Sequence, residues 1–333
     1  MRKRTRYSLL LMLALMAALV VALVLRKAAP PEAARLLPES DAIVYANLKP
    51  LRAATHFDRS PVVRSPEYQQ FIDATGIVPE RDLDAAAFAL HRMDDPNGPN
   101  GPVGYSEVFE GRFDGERLTR YLTSIATAKE TYAGHEIFTV PVGDGHITRP
   151  LRIAQLGYDT IAASNMPTVE QIHSILDRNR AAASPFSGSS LLSARYRDVP
   201  AFSSAWAIGH IGLPFSDRGY ISVFGLQLPL PEDTTFVASL RYLGTLHMRI
   251  EQITPTEAEA AHATETLTTL LTLLKTVQQA QAQLQQNAAS NASFRDLIDS
   301  SKIEQHKDRA VLTANIPLEL IKQLGSPASA PQQ

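Results

Sequence analysis

The chain has 333 residues, with 32 Lys and Arg set against 34 Asp and Glu, a net charge of −2 with both signs mixed along its length. That balance provides no concentrated basic face for nucleic acid. Aromatic residues make up 7 % and Trp206 is the single tryptophan, so no aromatic platform for sugars or bases stands out; without cysteine, a lipid-modified cysteine and a thiolate zinc site are both excluded.

The first element is residues 9–25 (LLLMLALMAALVVALVL), an uncharged run behind Arg2, Lys3, Arg4 and Arg6 and closed by Arg26-Lys27. As a helix at about 1.5 Å per residue it covers roughly 26 Å, close to the ~30 Å of bilayer hydrocarbon. A cleaved signal is the competing reading. Its apolar region would be shorter and would end in a small-x-small site, whereas cutting after Ala29 would place Lys27 at a small-residue position and Pro30 just past the cut. Residues 1–27 therefore read as an uncleaved signal-anchor in contact with the bilayer through residues 9–25. The basic bias keeps the N-terminus in the cytoplasm. About 300 residues then lie across the inner membrane, in the periplasm of a diderm cell.

Residues 28–35 form an Ala/Pro tether, and the remaining length suits one large domain or two smaller ones sharing an interface. Residues 42–48 (AIVYANL) have strand length, with short helices expected at 51–55 and 66–75. Residues 85–92 form a second strand candidate, and 94–102 (DDPNGPNGP) is dense in turn formers. Residues 105–113 alternate as a strand, then Asp114 caps a helix over 115–128 with Leu118, Tyr121, Leu122 and Ile125 on one face. Hairpins follow at 130–142, around Ala133-Gly134, and at 151–164. A helix opened by Asn165 and Pro167 runs to about Arg180, burying Val169, Ile172, Ile175 and Leu176.

Farther on, residues 202–211 read as a strand around Trp206, and 234–242 pairs with 246–253 across Gly244. Leu246, Met248 and Ile250 face the core there while His247, Arg249 and Glu251 face water, the mark of a one-sided antiparallel sheet. A long helix over 255–286 is expected, with Thr254 as N-cap, Glu257 completing a capping box, and Leu267, Leu270, Leu271, Leu274, Val277 and Leu284 on one face. It either lies across the sheet or projects as an arm that pairs with another copy or a partner. A small helix at 294–298, a closing strand at 311–316 and a helix over 317–324 complete the fold, and 326–333 is a polar, breaker-rich tail. Fold class is thus α+β, antiparallel sheets packed with helices. Loose recurrence of the strand, helix and hairpin unit suggests two related halves, 36–200 and 201–325.

Chemical motifs are sparse. No P-loop, GxGxxG or GxSxG occurs, and Ser187-Gly188-Ser189-Ser190 reads as a polar turn. The nine histidines show no HExxH and no i, i+4 pair; a site joining His135 and His146 in space is a minor alternative. Asp94, Asp95, Asn97 and Asn100 lack the alternation of a calcium loop, and Gly143-Asp144-Gly145-His146 is first a tight turn. Acidic residues such as Asp114, Glu116 and Glu257 sit at helix starts, where the dipole favours them. Catalytic, cofactor and metal residues are accordingly none.

Residues 36–48 (LLPESDAIVYANL), 109–122 (FEGRFDGERLTRYL) and 132–140 (YAGHEIFTV), taken together, resemble bacterial membrane-anchored proteins of unknown function. In those a strand with Leu-Pro, Asp and Tyr follows a single anchor, and hairpin-plus-helix units build an exported α+β domain. The resemblance implies that architecture and transfers no catalytic residue. The functional expectation is a membrane-anchored, non-enzymatic binding or scaffolding module of the cell envelope. It would hold a protein partner through sheet edges, loops or the long helix around 264–288. The alternatives are an envelope hydrolase with a discontinuous site, which needs a deep pocket of converging His and carboxylate groups, and a binder of lipid or another apolar ligand, which needs an enclosed apolar cavity.

Overall fold

The computed structural model describes residues 16, 29–59, 64–98, 100–143, 148–181, 187–210, 220–223, 226–229, 234–242, 244–284, 289–317 and 319–320, with backbone alone at 220–223, 226–229, 280–284 and 289–292. The apolar leading segment at 9–25 lies outside the described residues except for Met16, as do 144–147, most of the helix expected at 317–324, and the tail. Among the described residues no helix is long and apolar enough to cross a membrane.

Among the described residues fourteen strands and nine α-helices follow in chain order: α1 (Glu32–Leu36), β1 (Ala42–Asn47), α2 (Leu48–Thr55), α3 (Pro66–Thr75), α4 (Pro79–Asp82), β2 (Leu83–Arg92), β3 (Val103–Gly111), α5 (Gly115–Ile125), β4 (Ala128–Tyr132), β5 (His135–Gly143), β6 (Thr148–Gln155), β7 (Thr160–Ser164), α6 (Glu170–Arg180), α7 (Ser190–Arg195), β8 (Ala205–His210), β9 (Tyr220–Val223), β10 (Leu226–Pro229), β11 (Thr235–Tyr242), β12 (Leu246–Ile253), α8 (Glu257–Leu284), α9 (Ala289–Ser300), β13 (Lys302–His306) and β14 (Arg309–Ile316). Twelve strands form one antiparallel sheet in the order β13-β14-β12-β11-β8-β1-β2-β3-β7-β6-β5-β4, and β9 pairs with β10 as a separate ribbon. Two flanks join at the antiparallel pair β1·β8, Tyr45 opposite Trp206, the fifth and sixth strands from the β13 edge. Outward from it the two flanks share one connectivity. Three strands lie side by side, one helix (α5) or two (α8 and α9) intervene, and the last strand of the flank returns beside the third, β7 on β3 and β14 on β12.

Local chemistry accounts for the joins. Asp114 Oδ1 accepts from Arg117 N and starts α5. Ala133 and Gly134 both have positive φ, 49° and 85°, so the β4–β5 hairpin has the twist-matched two-residue turn. At the central seam the Cβ that Gly209 lacks would lie 2.5 Å from Ala42 Cα and 2.7 Å from Asp41 O. Only glycine lets β8 approach β1 this closely.

Because side chains alternate along a strand, cross-strand registers sort the sheet into two faces. Ile43, Tyr45, Ala87, Val108, Ala162, Ala154, Ile137, Trp206, Ile208 and Val237 share the first face, where α1, α6 and α7 bury them with Leu36, Leu37, Ile172, Ile175, Leu176 and Leu192. Helices α3 and α5 cover one flank of the second face, through Leu118, Leu122 and Phe71 against Phe138, Val140, Ile153 and Ile161. Helices α8 and α9 cover its other flank, against β13 and β14.

The string at 37–41 in the first strand's approach is structural: Glu39 accepts from Ser190 N and Oγ and from Arg178, tying α6 to the start of α7, while Asp41 Oδ2 accepts from Arg92 N. Burial would raise the Glu39 carboxyl, but those hydrogen bonds outweigh it and hold it below the usual range.

Several expectations are corrected. Thr254 does not cap the long helix; its hydroxyl donates to Thr256 O and Asp308 O, and Thr256 caps instead, accepting from Glu259 N and bonding Glu259 Oε1. Val277 is 46 % exposed and off the inward stripe, and Glu251 is only 4 % exposed because two arginines neutralise it. Helix α5 stops at Ile125 and Ala128 begins a strand; Phe202 sits in a turn at φ 62°, 85 % exposed. The helix expected at 294–298 spans Ala289–Ser300, and β13 and α7 went unanticipated.

Candidate functional site

The histidines separate into unrelated surroundings. His91 is buried with its Nε2 2.9 Å from Ser106 Oγ, which lies 3.3 Å from the equally buried Ser164 Oγ; the ring also bonds the Glu39 backbone carbonyl. The nitrogen donating to that carbonyl holds the proton, so the Ser106 hydroxyl donates to Nε2. Burial keeps this imidazole below its ordinary pKa. Both serines are 0 % exposed, so the chain resembles a nucleophile–base pair in connectivity but presents no surface to a substrate. His135 Nδ1 lies 3.0 Å from Gln155 O, and His146 falls outside the described residues. Among the described residues no three His, Asp or Glu side chains gather as a metal group. Asp95 Oδ1 accepts from Asn97 N, the local bond of a turn, and Ser189 caps α7 by accepting from Leu192 N.

Among the described residues, two surface depressions bear on the question. One, about 550 Å³, is lined by Glu170, His173, Ser174, Asp177, Arg178 and Ala181 of α6 and the residue after it. His173 stacks flat on Tyr132 at 3.7 Å and its Nε2 is 2.6 Å from Glu130 Oε1, while Tyr132 Oη donates to Asp177 at 3.0 Å. These contacts commit the imidazole to fastening edge strand β4 to α6. The other, about 320 Å³, lies between the β4–β5 turn and Gln155–Gly157. Both are open, and neither is the deep pocket that a hydrolase or the enclosed cavity that an apolar-ligand protein needs.

On the first face, the flank around β12 and β14 is ionic. Arg309 pairs with Glu251 at 2.8 Å and Asp198 at 2.9 Å, and Arg249 with Glu251 at 2.6 Å. Every member has an opposite charge, so burial here is compensated.

The second face contains an uncompensated charge. Following the pairing registers, one residue from each of the twelve strands forms a transverse row: Ile303, Leu312, Ile250, Ala238, Ala207, Val44, Phe88, Glu107, Ala163, Ile153, Phe138 and Lys129. Ten are apolar. Lys129 ends the row at the sheet edge, roughly 19 Å from Glu107 at about 4.8 Å per strand, where it pairs with Glu136 and lies over the Phe138 ring. Glu107 stands near the middle and makes no hydrogen bond or ion pair among the described residues. Burial alone pushes its carboxyl up to about 6. Around it the central residues Val44, Ala46, Phe88, Phe109, Ala207, Ala238, Leu240, Met248 and Ile250 are half-buried, between two flanks that helices cover. Sequence reading passed over Glu107. Within Tyr105–Gly111 it looked like an ordinary outward carboxylate of an alternating strand, and only the cross-strand partners Phe88 and Ala163 show that its side is apolar.

No family model matches the chain, and no curated relative matches it. Solved structures are similar at the level of overall trace. Crystal form III of TP0453 aligns at a TM-score of 0.47 with 10 % identity, covering 89 % of this chain and 98 % of that one; crystal form I aligns at 0.44 with 8 % identity over the same shares.

Proposed function

We propose that the chain is a membrane-anchored, exported binding module of the cell envelope, built from two related halves that share one sheet. Its working surface is the middle of the second sheet face. The observation that carries this reading is the transverse row: an apolar strip across the sheet, half-buried at its centre, with one carboxylate that has no partner among the described residues. A folded protein gains nothing in stability from such a charge. A surface that takes up an apolar partner with a complementary group has a use for it.

Titration of the purified full-length chain with a neutral solvatochromic dye tests the surface. Saturable binding that is weakened by Ile250→Lys and Val44→Lys, but left intact by Lys302→Glu on edge strand β13, supports the reading; binding indifferent to all three removes it. Alkaline washing of membranes from cells expressing the whole chain, beside a form lacking residues 1–27, tests the anchor. Release of the whole chain into the wash would remove the tethered picture.

A second reading has its own observation. Leu273 and Val277, one helical turn apart on the outer side of α8, are 49 % and 46 % exposed. They form an apolar ledge beyond the stripe that faces the sheet, suited to a protein partner. Pull-down with and without residues 264–288 decides; an unchanged set of partners removes the helix from the account.

A further inference from the structure

Glu107 is surrounded by rings as well as by aliphatic groups. Phe88 is directly opposite it on β2, and Tyr105 and Phe109 lie two residues to either side on β3, on the same face and about 6.8 Å away along the strand. Phe88 and Phe109 meet edge to face, with centroids 5.8 Å apart at 82°. Tyr105 is 37 % exposed, so the group reaches water on that side. Aromatic faces carry negative quadrupole density and attract cations most strongly where water is sparse. A carboxylate among three rings, with no cation among the described residues paired to it, is the composition of an ammonium receptor. Anions are repelled by it, and a neutral apolar group leaves the charge unmet.

We propose that Glu107, Phe88, Phe109 and Tyr105 form a binding site for an organic ammonium group carried on an apolar body. This rests on the apolar-face reading above and specifies what that face recognises: the cation meets Glu107 and the rings, and the apolar body lies along the row toward Val44 and Ala207. The same chemistry is offered by a small quaternary amine and by a lysine side chain, and the experiment separates them.

The full-length chain is titrated with choline, with its neutral carbon isostere 3,3-dimethylbutanol, and with N-acetyl-lysine amide, followed by NMR shifts of the Phe88 and Glu107 signals. Saturable binding of choline or of the lysine amide is expected, with the isostere, Glu107→Gln and Phe109→Leu each weaker by about tenfold. The tighter of the two cations identifies the source. Phe109→Leu keeps the apolar volume and removes the π face, so its loss separates ring recognition from folding damage. Equal binding of choline and its isostere, or binding undiminished in Glu107→Gln, overturns the cation site while leaving the apolar face standing. Absence of saturable binding by all three probes overturns the cation site as well, and the dye titration then shows whether the face itself survives.

Discussion

Replacing Glu107 with glutamine should make the protein more stable at neutral pH, and the gain can be worked from the site. The carboxyl moves from an ordinary 4.5 to about 6 because the folded sheet withdraws water without supplying a partner. That difference of about 1.5 pKa units is roughly 2 kcal/mol at about 1.36 kcal/mol per unit. The raised pKa means that the folded state holds this proton more tightly than the unfolded chain. The associated stability is therefore present in full below about 4.5 and is lost as the pH rises through about 6. Glutamine keeps the shape and cannot ionise. Residual solvent contact trims the figure, so Glu107→Gln should gain about 1–2 kcal/mol over the parent at pH 7.5 and nearly nothing at pH 4. Urea unfolding of both proteins across that range gives the comparison, and the difference between them cancels every other titrating group. A variant less stable than the parent at pH 7.5, or a difference that does not change with pH, would refute the reasoning.

Three further outcomes follow from other parts of the sheet. His91 should remain neutral and keep its Ser106 bond below the ordinary histidine value of 6.5, read by imidazole nitrogen shifts; because its folded pKa is depressed by burial, its contribution to stability falls as the pH drops below 6.5, and protonation of this ring at or above that value would contradict the network. Arg309→Ala should cost about 3 kcal/mol in denaturant unfolding, since it leaves the buried Glu251 and Asp198 short of a counter-charge; a loss below ~1 kcal/mol, the range of surface pairs, would mean that this network is solvated. Gly209→Ala should destabilise by several kcal/mol or prevent folding, because the new methyl meets backbone atoms rather than a movable side chain, whereas Gly134→Ala, whose Cβ meets nothing within 4 Å, should cost only about 1 kcal/mol of left-handed strain.

Elements with a local signature were legible in the sequence. The Asp114 cap, the Ala133-Gly134 turn and the Ile172–Leu176 stripe depend on neighbours a few residues away, and each is where periodicity and turn chemistry put it. The one-sidedness of β12 was half legible: Leu246 is buried as expected, but alternation cannot reveal that Arg309, 58 residues onward, neutralises Glu251 and lets it be buried too. β13 was invisible because Lys302–His306 has four polar side chains of five, which suits an edge strand and resembles a loop. The candidate site was hidden for a related reason. Nothing near Glu107 in the chain distinguishes it from Glu110, whose carboxylate accepts from Ala33 N. The contrast exists only after β2, β3 and β7 are in register.

The pair β1·β8 has a consequence for how the molecule is made. β1 is the first strand of the sheet to be synthesised and it occupies the middle, yet its second neighbour begins at Ala205. Until that stretch has been synthesised and delivered, a nascent chain offers one bare margin of Ala42–Asn47 to any other extended peptide nearby. Contacts this distant in sequence form slowly, and unsatisfied margins invite intermolecular pairing. Weakening the join at Gly209 should thus show itself first as lost yield and aggregation during production, before any change in the thermodynamics of molecules that have closed.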